Sequence, residues 1–190
     1  MKKILYLFIL PAALSCSQSY DYSFTEGAAT PEEVFEVVVE SVKTNDADLM
    51  GTVILNYDME AQKQLETTRA ELEKAKESGD AEMAANYEKA VEMFSSKEYF
   101  ERLAQMQEKF SEKAAKELED TKKMFEKYTD LNSLNVSSVY VKDGVRDPDK
   151  EKFAGINFFN KDSVEYTIRI NTEKIKNRWY YNGQKSAGMR

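Results

Sequence analysis

Val164-Glu165-Tyr166-Thr167-Ile168-Arg169-Ile170 alternates apolar and polar residues without a break. Strand side chains point to opposite faces with a period of two. The run therefore predicts a half-buried strand, with Val164, Tyr166, Ile168 and Ile170 inward and Glu165, Thr167 and Arg169 outward. The same character extends to both sides. Val136, Val139 and Val141 enrich an earlier strand, Phe153 to Phe159 forms a second, and Arg178 to Tyr181 a fourth. Asn160-Lys161-Asp162 reads as a tight turn that makes the second and third strands a hairpin, and Lys142 to Lys152 as a longer, charged loop. Four strands in such close succession predict an antiparallel meander, whose apolar face needs a cover.

Upstream of Thr129 the period is helical. Thr30-Pro31-Glu32-Glu33 combines a capping residue, a proline suited to the first helical position and the glutamate of a capping box. Val34, Phe35, Val38 and Val42 then recur on one face, and this helix is the natural cover for the meander. Asn45-Asp46 ends it and opens a short second helix through Ile54. Asp58 to Tyr128 is helix-forming and free of proline, with one break at Ser78-Gly79-Asp80. Leu103, Met106, Phe110, Ala114, Leu118, Phe125 and Tyr128 share a stripe beyond that break. Leu65 and Leu72 mark the helix before it, and Tyr87, Val91 and Phe94 the one between. The stretch is expected to fold back as an antiparallel helical hairpin. Its apolar seam is too mixed for a long coiled coil, and Met59, Met83, Met93, Met106 and Met124 read as gap fillers. The fold class is α+β: N-terminal helices on a C-terminal four-stranded, cone-like antiparallel meander, with a long helical insertion at 58–128. The domain is expected to span 30–182, with 183–190 as a C-terminal tail.

The N-terminus carries a different message. Lys2 and Lys3 precede the apolar stretch Ile4 to Leu14, whose 11 residues fall short of the roughly 20 needed to span a bilayer. These are the dimensions of a secretory leader, here 1–15. Ala13-Leu14-Ser15-Cys16 resembles the bacterial lipobox, in which the cysteine takes a diacylglyceryl group and becomes the acylated N-terminus. Ala13-x-Ser15 also fits ordinary secretory cleavage, which would leave a free thiol. Cys16 is the only cysteine, so no internal disulfide forms. A doubly acylated Cys16 would be held stably in a membrane, whereas one chain anchors only marginally. Ser17 stands where inner-membrane retention favours aspartate, so lipoprotein sorting implies the outer membrane, with the exposed face left open. Residues 16–29 read as a tether of roughly 20 Å end to end. Its aromatic residues Tyr20, Tyr22 and Phe24 would pack on the domain or rest at the headgroups.

The net charge of −7 is unevenly spread: Leu134 to Arg190 holds 11 basic and 7 acidic residues, and Ile4 to Ser133 holds 14 basic and 27 acidic. No concentrated basic face of the kind nucleic acid requires is present. The chain has no histidine, so it lacks the side chain that ordinarily titrates near neutrality. Histidine-assisted nucleophiles and histidine metal sites are thereby excluded. Asp143, Asp147, Asp149 and Glu151 have oxygen ligands but not the order of a calcium loop, and lysines interleave them. They read as a solvated turn. No catalytic residue, metal or cofactor is expected.

Thr30 to Ile54 followed by Leu134 to Asn182, with Trp179 after a basic turn, resembles small bacterial lipoproteins of a domain-of-unknown-function family in the nuclear transport factor 2-like superfamily. That resemblance implies a helix wrapped by a curved sheet into a cone with a pocket, and the stretch 58–128 departs from it as an insertion. Tyr140, Phe158, Tyr166, Trp179 and Tyr181 are the candidate lining of that cone, or simply its core. The family has no common activity, so fold alone does not supply function. The expected role is a non-catalytic envelope module anchored through Cys16, with the helical arm as the surface for an envelope protein partner. The alternative is a carrier or sensor of a small hydrophobic ligand in the cone.

Overall fold

The computed structural model describes residues 23–131, 134, 136–144, 146–159 and 163–189. Among the described residues six helices precede four strands: α1 Pro31–Thr44, α2 Ala47–Val53, α3 Tyr57–Ser78, α4 Ala81–Phe94, α5 Lys97–Gln107, α6 Phe110–Glu126, then β1 Tyr140–Asp143, β2 Glu151–Phe159, β3 Glu165–Ile175 and β4 Arg178–Met189. The predicted α+β architecture is present, with the strands in one antiparallel sheet of order β1-β2-β3-β4.

Local chemistry sets the helix ends. The Thr30 hydroxyl accepts from the Glu33 amide at 3.2 Å, and the Glu33 carboxylate accepts from the Ala29 amide at 2.8 Å. Glu33 thus reaches one residue further back than a standard capping box. Asn45 takes the left-handed conformation that closes α1, and Asp46 caps α2 through the Leu49 amide at 2.9 Å. Gly79 closes α3 in the same left-handed region, and Asp80 caps α4.

The register puts Ala154 opposite Ile170, Ile156 opposite Ile168 and Phe158 opposite Tyr166. These pairs form one apolar face, and α1 covers it with Val34, Phe35, Val38, Val39 and Val42, all essentially inaccessible. Each such side chain contributes about 1.5–3 kcal/mol by leaving water.

Five expectations are corrected. The stretch 58–128 is four helices rather than a simple hairpin: α3 and α4 fold back on each other across Gly79, but α5 and α6 follow as separate helices. Ser95-Ser96 breaks it again, with the Ser96 hydroxyl capping α5 through the Tyr99 amide at 3.2 Å, and a further turn falls at Glu108-Lys109. Nor is it an appendage: α6 packs on α1 and α2, and Ala114, Leu118 and Phe125 belong to the main core. Residues 183–189 are strand, not tail, with Ile168 opposite Ala187 and Tyr166 opposite Met189. A bulge between Ile170 and Thr172, with Gly183 at φ 84°, bends β4 and hides this continuity in the sequence. Val136 lies in a 3-10 turn at Val136–Ser138, so the first strand begins only at Tyr140. The tether does not reach residue 29, because Ser23 to Ala28 is docked. Ala28 bridges Trp179 through two backbone hydrogen bonds of 2.9 Å, and Ser23 donates to Asp58 through its amide and its hydroxyl. The Asn160 to Asp162 turn, Tyr20, Tyr22, the leader and Cys16 lie outside the described residues.

Candidate functional site

The five aromatics proposed to line a cone are not gathered around one space. Trp179 and Tyr181 are core, 8% and 0% exposed. Phe158 and Tyr166 stack at 6.0 Å on the inner face, with Tyr128 of the chain after α6 5.6 Å from Tyr166. Tyr140 pairs with Gly155 and so faces the other side of the sheet, its hydroxyl 2.8 Å from that of Thr167. Period-two register sets Tyr140 apart from the other four, which lie on the inner face, with Trp179 and Tyr181 in the core.

Tyr181 sits at the centre of a buried polar knot. Its hydroxyl donates to Glu117 of α6 at 2.7 Å, and Lys185 of β4 ion-pairs with the same carboxylate. Burial, reinforced by the Glu117 charge, holds the Tyr181 hydroxyl far above the usual tyrosine range. In an unfolded chain that proton leaves near pH ~10. Above that pH the folded state keeps one proton more than the unfolded state, so the contribution, complete at lower pH, is lost as pH rises. Burial raises Tyr180 and Tyr99 as well, which acts in the same direction. Tyr181→Phe is expected to flatten the alkaline decline in stability by about 1.4 kcal/mol per pH unit, read by urea unfolding across that range. An unchanged slope would contradict the assignment.

The concave surface of the molecule lies elsewhere, beneath α3. A recess of about 480 Å³ opens between α3 and the turns joining β1 to β2 and β3 to β4, and another of about 430 Å³ continues beside it. Lys63 and Glu173 stand on the wall shared by both, paired at 2.6 Å, with Glu173 7% exposed. Further along the sheet, the Asn171 amide donates to Gln184 at 3.0 Å, and Arg169 lies over the Phe153 ring at 5.1 Å. The buried oxygens of Gln62 and Asn171 have no hydrogen-bond partner among the described residues. Amides, hydroxyls and a neutralised ion pair give this groove hydrogen-bonding capacity. Lys63 occupies the Glu173 carboxylate, and Glu66, Asp147 and Glu151 line the same recess beside Lys150, Lys174 and Lys176. Sequence reading missed it: Lys63 and Glu173 are 110 residues apart, and neither belongs to a motif.

The second feature is the arm itself. Only Phe94 is buried in α4 and only Leu103 in α5. Met83, Met93 and Met106 are 48%, 55% and 42% exposed, so they fill no gap, whereas Met59 is buried as a filler should be. Phe94 and Tyr99 meet edge-on at 5.4 Å across the α4–α5 turn.

Asp143 pairs with Lys152 and Asp147 with Lys150, and no cluster of three or more metal-ligating side chains occurs among the described residues. No helix among them is long and apolar enough to cross a membrane. Comparison with protein-family models, with curated proteins and with solved structures returns no match.

Proposed function

We propose that this chain is a non-catalytic binding module of the bacterial envelope, held at the outer membrane by acylated Cys16, which captures an envelope protein through the arm α3–α5. The observation that carries the reading is the thin arm: three exposed methionines on helices with one buried residue apiece in α4 and α5. Flexible, polarisable methionines suit surfaces that adapt to a partner. The lack of histidine argues against catalysis. The helix α1 laid across an antiparallel sheet supports the nuclear transport factor 2-like reading. The hydrophobic-carrier alternative loses support, because Trp179 and Tyr181 fill the core.

The test replaces Met83, Met93 and Met106 together by serine. All three are exposed, so each substitution should change stability by less than about 0.5 kcal/mol. Crosslinking in intact cells should then recover the partner at a small fraction of the wild-type yield. Undiminished recovery would contradict the role of the arm.

A further inference from the structure

We infer that the β3–β4 turn is a membrane-apposed face that docks on anionic phospholipid headgroups; this deepens the proposed function and rests on acylation of Cys16. Three observations converge. First, the described chain starts beside this turn. Phe24 packs with Tyr180 and Ile175, and the Lys176 ammonium lies 3.7 Å from the centre of the Phe24 ring. Arg178 donates to the carbonyls of Glu26 and Gly27 at 3.1 and 3.3 Å. Second, the seven residue-to-residue steps from Cys16 to Ser23 reach at most about 25 Å fully extended. An acyl chain on Cys16 therefore keeps this end of the molecule, more than any other described part, close to the lipid.

Third, the turn has the charge such a surface needs. Lys174, Lys176 and Arg178 fall within five residues, and none has a carboxylate ion-pair partner among the described residues. Two of the neighbouring acids are spent, Glu173 on Lys63 and Asp147 on Lys150. Glu26 on the docked N-terminal segment and Glu66 of α3 remain as exposed carboxylates, with Glu151 half-buried on the same recess. Cations near an anionic leaflet are attracted within a Debye length. Ile175 and Phe24, both half-buried, add an apolar edge between the charges.

Trp179, the only tryptophan, follows this turn at the start of β4 with its ring buried, so its emission reports how near this end of the sheet stands to the nitroxide. The acylated full chain is reconstituted into vesicles of phosphatidylcholine alone, or of an equimolar mixture with phosphatidylglycerol, each with a nitroxide on a fraction of the choline headgroups. Quenching of Trp179 emission should be several-fold stronger in the anionic vesicles and should fall to the neutral level at high salt. Lys174→Gln with Lys176→Gln should lower the docked-to-undocked ratio about 25-fold and abolish the difference. The same change at Lys89 and Lys97, on the arm, should leave it intact. Equal quenching in both vesicles, or a difference that survives Lys174→Gln with Lys176→Gln, overturns the docking face. Thermal melts of the variants separate loss of charge from loss of fold. A chain that fails to float with neutral vesicles refutes the anchor instead, and the docking face with it.

Discussion

Removing residues 58–128 is expected to yield no folded protein, and Phe125→Ala alone to cost about 3–5 kcal/mol. Phe125 is wholly inaccessible and lies with Ala114 and Leu118 in the cluster that also holds α1 and the sheet. Its loss leaves a cavity that surrounding side chains close only in part. The contrast is Phe94, at the junction of α4 and α5, which is 9% exposed and outside that cluster. Phe94→Ala should loosen the arm while the main transition persists. Two denaturation curves, followed by far-ultraviolet circular dichroism, separate these outcomes. If the segment behaved as an independent insertion, Phe125→Ala would melt at the wild-type midpoint.

That distinction also marks how far the sequence was legible. The clean alternation at Val164 to Ile170 located β3, because one face meets α1 and the other meets water. Thr30-Pro31 and Asn45-Asp46 located the ends of α1 and α2, because capping is satisfied within a few residues. What failed was whatever depends on distant partners. Ala114, Leu118 and Phe125 have the same helical spacing as Leu103, and nothing local says that the former face the main core while the latter faces α3. Gly183 to Met189 lacks alternation because β4 is an edge strand beyond a bulge, where a buried face demands little. The five aromatics were legible as apolar residues, yet their division between two faces depends on register. Lys63 and Glu173 gave no signal, since an ion pair closed by tertiary folding leaves no spacing to read.

Glu117→Ala is the second large effect, at about 2–4 kcal/mol. The carboxylate accepts from the fully buried Tyr181 hydroxyl and pairs with Lys185, whose side chain is 16% exposed. Truncation leaves a buried hydroxyl without its acceptor and a mostly buried ammonium without its counter-ion. Partial exposure of Glu117, at 22%, places the cost below that of a fully enclosed pair. Glu117→Gln keeps an acceptor for Tyr181 and should lose roughly half as much. Because the knot ties α6 to β4, both variants should also raise hydrogen exchange at residues 182–187 before global unfolding. Equal stability of Glu117→Ala and wild type would show that α6 is held by apolar packing alone.

The functional account turns on how the chain is attached. An arm with exposed methionines and a basic turn beside Ser23 form a membrane-held binding module only if the N-terminus is lipid. The direct measurement is the intact mass and N-terminal peptide mass of the protein purified from its native membrane. The mature chain is expected to begin at Cys16, with a diacylglyceryl thioether on sulfur and an acyl group on nitrogen. A chain beginning at an unmodified Cys16, or one still carrying Met1 to Ser15, would contradict it.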